Sequence, residues 1–105
     1  MTKAKRQNPK PFTPREGTIY ENAGGGRYLC ESSYEDRSAW MTNVSSGWSF
    51  IAKGIVQYDD KTIEWDYSTN GQFLPIDGAR LARINRANIQ QRQRSLMNAM
   101  LCCFI

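Results

Sequence analysis

The stretch KTIEWDYSTNGQF (residues 61–73) carries the clearest secondary-structure signal in the chain. From Ile63 to Tyr67, apolar residues alternate with polar ones, so an extended chain places the two kinds on opposite faces. The dipeptide Asn70-Gly71 that follows tolerates positive φ angles and is typical of tight hairpin turns. The stretch therefore predicts a half-buried strand followed by a tight turn.

The same pattern recurs between residues 17 and 75, where segments rich in aromatic and β-branched residues are separated by turn signals. These residue types fit a pleated, half-buried surface, and their spacing is typical of hairpins in a small sandwich or barrel. Gly54 interrupts the longest apolar segment, as at a bulge or bend. We predict a mainly β fold with a C-terminal α-helix, the strands forming a small five-stranded antiparallel (SH3-like) barrel. Its core is expected to come mostly from Tyr20, Tyr28, Trp40, Trp48, Phe50, Trp65 and Tyr67.

Charge is distributed unevenly along the 105 residues, which include 14 Lys+Arg, 10 Asp+Glu and no His. Residues 1–16 carry five basic residues and one acidic residue, and their low apolar content predicts a disordered basic arm. Residues 17–75 carry four basic and eight acidic residues and form the predicted acidic barrel. Residues 76–105 carry five arginines and one aspartate. Such asymmetry bears on partners rather than on fold.

The C-terminal segment 76–105 predicts a basic amphipathic helix with an apolar tail, because it is rich in helix formers and lacks proline. At 100° per residue, one broad face holds the apolar residues Leu81, Ile84, Ile89, Leu96 and Met100, and the opposite face holds Arg80, Arg83, Arg86 and Arg94. Arginine binds phosphates while Asn and Gln bind base edges, so this polar face is a candidate nucleic-acid or partner surface. The simpler alternative is a solvated face. The candidate residues are Arg80, Arg83, Arg86, Arg92 and Arg94.

The end of this helix, residues 96–105, is apolar nearly all round. Such a surface is unfavourable in water, so we expect it to pack on the barrel or on another chain. A homo-oligomer formed through residues 96–105 is therefore one expectation. Cys102 and Cys103 are interpreted as small apolar members of this tail, and Cys30 as a core residue.

Acidic residues of the barrel form a second candidate surface. Carboxylates at alternate strand positions, such as Glu64 and Asp66, lie roughly 6–7 Å apart, close to phosphate spacing. Such a surface can occupy the nucleic-acid groove of another protein, although an ordinary polar sheet face is the simpler alternative. The candidate partner-binding residues are Glu31, Glu35, Asp36, Asp59, Asp60, Glu64 and Asp66.

Composition argues against several functional classes. Without His the chain lacks the commonest metal ligand and the usual neutral-pH acid or base, and its three Cys contain no CxxC pair, so no metal site or cofactor is predicted. The glycine-rich stretch AGGG (23–26) lacks the residues that complete a phosphate loop. No apolar run approaches the roughly 20 residues of a membrane span. We expect a non-enzymatic protein with no membrane segment.

The segments GTIYENAGGGRYLC (17–30) and MTNVSSGWSFIAKGIVQYDDKTIEWDYSTNGQF (41–73) resemble small proteins carried by phages and mobile elements of Gram-positive bacteria. The resemblance leaves out the basic arm and the arginine helix. It implies a protein that binds and disables host machinery in the host bacterial cytoplasm, as anti-CRISPR proteins do.

Three functions follow as expectations, since context alone does not determine function. The first is inhibition of a host defence nuclease, such as a CRISPR effector with its guide RNA, by occupation of its nucleic-acid-binding surface. The second is direct DNA or RNA binding through the basic arm and the arginine helix. The third is a phage assembly or structural component.

Overall fold

The computed structural model describes the backbone of residues 7–103 and the side chains of residues 7–93. Within these residues, eight strands precede one long helix, which confirms the predicted mainly β fold with a C-terminal α-helix. The strands are β1 Lys10–Pro11, β2 Ile19–Glu21, β3 Arg27–Tyr34, β4 Ser38–Asn43, β5 Trp48–Lys53, β6 Val56–Gln57, β7 Ile63–Glu64 and β8 Tyr67–Phe73, and the helix is α1 Gly78–Cys103.

The strands form two antiparallel sheets. The larger sheet has the order β2-β3-β4-β5-β8, and the smaller has the order β1-β6-β7. The described strands do not close into a barrel, so the SH3-like barrel is not confirmed. Gly54 explains part of the difference: its φ of +72° bends the chain after β5, and β6 then joins the smaller sheet.

The stretch 61–73 is divided between the two sheets, with β7 in the smaller and β8 at the edge of the larger. Asn70 does adopt a positive φ of 59°. However, β8 pairs with β5 on both sides of this residue, with a register shift opposite Phe50. Asn70 and Gly71 therefore form a bulge, and the predicted hairpin turn is wrong because strand pairing overrides the local turn preference.

The core consists mainly of aliphatic side chains on the two faces of the larger sheet. On one face, a cluster lies against residues of the smaller-sheet region: Cys30, Ala39, Met41, Phe50, Ala52, Ile55 and Ile63. On the other face, Ile19 and Leu29 pack against Ile84 and Ala87 of α1. Consecutive strand residues point to opposite faces, which is how neighbouring residues of β3 reach both clusters.

Aromatic residues contribute less to the core than the sequence predicts. Phe50 is buried, while Tyr20, Tyr28 and Trp65 are partly buried against the core cluster that contains it. Trp40 is half-buried, and Trp48 and Tyr67 are exposed. The two exposed rings belong to the β5–β8 edge of the sheet, where burial is least complete.

The predicted disordered arm differs from the structure over residues 10–16. β1 pairs with β6, and the ring of Phe12 lies edge-on against Tyr20 with centroids 5.5 Å apart. Pro14 is buried, and its carbonyl accepts a hydrogen bond from Ser33 Oγ. The apolar contacts of Phe12 and Pro14 thus tie this segment to the fold. Residues 1–6 lie outside the described residues.

Candidate nucleic-acid interface

Helix α1 begins at an N-terminal cap made by Asp77. Its carboxylate Oδ1 accepts a hydrogen bond from the backbone N of Arg80 at 3.0 Å, and its carbonyl accepts one from Leu81 N at 2.8 Å. These contacts satisfy backbone donors that have no partner within the first turn. The cap thereby sets where the helix begins.

The packed side of α1 differs from the predicted apolar face. Ile84 and Ala87 are buried, whereas Leu81 and Ile89 are 48% and 53% exposed. Arg80, predicted on the polar face, is partly buried on the packed side. Of the predicted apolar face, only Ile84 is buried, and Leu81 and Ile89 remain exposed while Arg80 lies towards the sheet. The side chains of Leu96 and Met100 lie outside the described residues.

Glu31 is the residue that Arg80 contacts on the packed side. Its side chain, which is 1% exposed, lies where the register of β3 shifts. Oε2 accepts hydrogen bonds from Arg80 Nη1 and from Thr42 Oγ1, the latter at 2.8 Å. Oε1 lies 2.8 Å from Arg83 Nη1, which makes an ion pair although no aligned hydrogen bond forms. A buried carboxylate is tolerated only with such partners.

The Glu31 ion pairs remove residues from both predicted binding surfaces, the acidic one and the basic one. Glu31 is unavailable to a partner because it is buried, and the charge of Arg80 is neutralised by the same ion pair. Arg83 shares the ion pair, yet its side chain remains 46% exposed. The predicted separation of charges is therefore partly neutralised inside the molecule.

The remaining arginines of α1 lie on two different flanks of the helix. Arg83 and Arg86 line a cleft of about 300 Å³ beside Glu16. Arg92 lines a separate pocket on the other flank. Arg86 and Arg92 are exposed, and neither forms an ion pair with any other residue whose side chain is described. The side chain of Arg94 lies outside the described residues, as do those of the apolar tail 96–105.

Cys30 also lines the cleft that contains Arg83 and Arg86. Burial raises the pKa of its thiol to about 11, despite a weak contact with Ser33 Oγ. The thiol is therefore protonated at neutral pH and is not an activated nucleophile.

The pocket on the other flank includes an arginine that the sequence did not single out. Arg27, the first residue of β3, directs its Nη2 at Asn88 Oδ1 over 2.5 Å and at Gln91 Oε1 over 3.4 Å. Together with Arg92, these residues line a pocket of about 440 Å³. Arg27 lies in the acidic middle segment, so no local charge pattern marks it, and only the packing of α1 beside β3 brings it to Arg92.

The acidic candidate residues are also dispersed. Glu35 and Asp36 from the β3–β4 turn meet Asp66 in one surface pocket, together with Tyr34 and Tyr67. Glu35 and Asp36 are about 30 positions from Asp66 in the sequence, and the fold brings them to the same pocket. Three of the candidate carboxylates thus line one pocket.

The other acidic residues lie elsewhere. Asp59 accepts a hydrogen bond from Gln7 N at 3.3 Å and Asp60 accepts one from Thr62 N at 2.9 Å, both in the β6–β7 turn region. Glu64 in β7 accepts a hydrogen bond from Ala23 N at 3.1 Å. The expectation that Glu64 and Asp66 share one strand is wrong, because β7 ends at Glu64 and β8 begins only at Tyr67.

Comparison with protein-family models, with curated proteins and with solved structures finds no match to this chain. No helix within residues 7–103 has both the length and the apolar character needed to cross a membrane. Among the side chains that the structure describes, no three Cys, Asp or Glu are grouped in a way that could hold a metal ion.

Proposed function

We propose that this protein binds nucleic acid through α1 and the adjoining end of the larger sheet, and that it catalyses no reaction. The observation that carries the proposal is the charge of α1: five arginines and no acidic residue. A helix surface that only needs to be solvated usually mixes both signs.

The structural needs of the fold account for only part of this charge. Arg80 and Arg83 hold Glu31, whereas Arg86 and Arg92 are exposed and make no ion pair with another described side chain. Exposed amides accompany them at Asn85, Gln90 and Gln93. Guanidinium groups beside amides are suited to phosphates and base edges respectively.

The test is fluorescence anisotropy with labelled single-stranded RNA, single-stranded DNA and duplex DNA over a range of salt concentrations. Direct binding predicts that log affinity falls by about 0.7–0.9 per unit of log salt for each phosphate contacted. Arg86→Gln with Arg92→Gln should weaken binding and reduce that slope. The control, Lys10→Gln with Lys53→Gln, removes the same charge from two residues that line pockets containing no residue of α1. No binding at low salt, or equal weakening in both double variants, would overturn the proposal.

A second candidate function is supported by the pocket of Glu35, Asp36 and Asp66. None of these carboxylates forms an ion pair with Arg37 or Lys53, which line the same pocket of the described structure. An acidic pocket beside exposed tyrosines can bind a basic protein surface. Combined with the resemblance of residues 17–73 to phage and mobile-element proteins, which implies an anti-CRISPR type inhibitor, this pocket is the proposed contact with the nucleic-acid-binding surface of a bacterial defence nuclease.

This candidate is tested by inhibition of DNA cleavage by purified CRISPR effector nucleases. Glu35→Lys with Asp66→Lys should abolish inhibition, because the reversed charges repel a basic groove. Arg86→Gln with Arg92→Gln is the matched control and should retain inhibition. Unchanged inhibition by the charge-reversed variant would exclude the acidic pocket as the inhibitory surface.

A further inference from the structure

We propose a phosphate-binding site at the junction of β3 and α1, formed by the guanidinium groups of Arg27 and Arg92 beside the amides of Asn88 and Gln91. The inference rests on the proposed nucleic-acid binding and extends it. The ligand is a backbone phosphate of a nucleic-acid strand that crosses from α1 onto the end of the larger sheet.

The guanidinium of Arg27 is held in place before any ligand binds. Its Nη2 donates to the side-chain oxygens of Asn88 and Gln91. The amide of Gln91 is itself anchored, since its Nε2 donates to the carbonyl of Ile19 in β2. Arginine offers five N–H donors in a planar fork, so those not directed at the two amides stay available to an anion.

The charge of Arg27 is not compensated by these contacts, because both of its partners are neutral amides. Arg27 is half-buried, where an unpaired charge is unfavourable. Glu21 lies directly opposite it in the β2–β3 register, yet the two form no ion pair within the described structure. The guanidinium instead turns towards α1, where Arg92 adds a second positive charge to the same pocket.

A phosphate fits this arrangement better than a carboxylate does. Two guanidinium groups that line one pocket can share the several oxygens of a phosphate, and the Nδ2 amide of Asn88 can add a neutral donor. Arg86 lies on the other flank of α1, so the pocket of Arg27 and Arg92 is a contact separate from the cleft of Arg83 and Arg86.

The test measures oligonucleotide affinity by fluorescence anisotropy over a salt series for Arg27→Gln, Arg27→Lys and Glu21→Gln. Loss of one phosphate contact in Arg27→Gln should weaken binding and lower the salt slope by about 0.7–0.9. Arg27→Lys should recover only part of the affinity, because lysine lacks the fork. Glu21→Gln should tighten binding by removing the opposing charge, an increase that a purely structural role of Arg27 does not predict.

Lys53→Gln is the matched control, since it removes one charge from a half-buried residue of the same sheet that lines the acidic pocket instead. It should leave the salt slope unchanged. If Arg27→Gln binds like the wild-type protein while Arg86→Gln with Arg92→Gln binds weakly, the Arg27 site is excluded and nucleic-acid binding by α1 stands.

A second readout separates the site from the proposed function. The side-chain Nε–Hε NMR signals of Arg27 and Arg92 are followed during titration with inorganic phosphate and with a dinucleotide phosphodiester. Shifts with the phosphodiester support the site. Shifts with inorganic phosphate alone, in a protein that binds no oligonucleotide, would overturn both the nucleic-acid ligand and the proposed function. Absence of shifts with either probe would overturn the site.

Discussion

Arg83 Nη1 lies 2.8 Å from the buried Oε1 of Glu31, and this contact joins helix α1 to the larger sheet. Arg80, one helical turn earlier, binds the other oxygen of the same carboxylate. Residues three apart on a helix are neighbours on its surface, which allows both to converge on one acid. With Arg80 and Arg83 both at Glu31, Arg92 lies on the flank of α1 that faces Arg27.

Replacing Glu31 with Gln should destabilise the protein by about 3–5 kcal/mol, because it breaks the buried ion pair and leaves the partly buried guanidinium of Arg80 without its counter-charge. The measurement is urea denaturation followed by tryptophan fluorescence. Glu35→Gln removes an exposed carboxylate a few residues later and should change stability by less than about 0.5 kcal/mol. Equal stability of the two variants would contradict the structural role of Glu31.

Gly47→Ala should be markedly more destabilising than Gly25→Ala. Both glycines have positive φ, +81° and +86°, so alanine costs roughly 1–2 kcal/mol at either position from backbone conformation alone. At Gly47 an added Cβ would also lie 2.5 Å from the backbone oxygen of Leu74, whereas nothing lies within 4 Å at Gly25. We expect a total cost of about 3 kcal/mol or more for Gly47→Ala. Thermal unfolding of the two variants checks the order, which similar melting temperatures would refute.

Phe50→Ala should cost about 3–5 kcal/mol, since its ring is buried in the core between Tyr28 and Trp65. Phe73→Ala is the control. Its ring contacts Trp48 but is 69% exposed, so the expected loss is below about 1 kcal/mol. Chemical denaturation of both variants provides the comparison, and a loss at Phe73 equal to that at Phe50 would show that the β8 edge is buried in solution.

Stability should fall in alkaline solution partly because of Cys30. Burial raises the pKa of its thiol from 9.0 to about 11. As the pH rises from 9.0 towards 11, the unfolded chain loses this proton while the folded chain keeps it. The stabilising contribution of the protonated Cys30 thiol to the free energy of unfolding is therefore fully present below pH 9.0. It falls by up to about 1.4 kcal/mol per pH unit above pH 9.0 and is lost as the pH rises through 11. The pKa of Tyr20 is raised as well, mainly by burial, and acts in the same direction above pH 10.0.

The contribution of Cys30 is isolated by comparison with Cys30→Ala. The free energy of unfolding is measured for both proteins near neutral pH and at about pH 10. The wild-type protein should lose more stability than the variant over this interval. Cys102 and Cys103 are common to both proteins, so their titration cancels. Parallel losses would mean that the Cys30 thiol is not buried in solution.

Asn70 and Arg80 show where predictions from local sequence fail. Asn70 adopts the positive φ that its residue type favours, but pairing of β8 with β5 turns the expected hairpin into a bulge. Arg80 was expected on the polar face of an amphipathic helix, and a carboxylate 49 positions away draws it towards the sheet. In both cases a contact between distant segments overrides a correct local preference.

The sequence alone determines where the chain forms strands and where it forms a helix. Apolar and polar residues alternate through most of residues 17–75 and follow helical spacing after Gly78, and both patterns depend on side chains within a few residues of one another. The sequence also determines the sign of charge in each segment. Only the tertiary structure decides which charges reach solvent, since that depends on strand register and on the rotation of α1. It buries Glu31 with Arg80, collects Glu35 and Asp66 in one pocket, and brings Arg27 to Arg92.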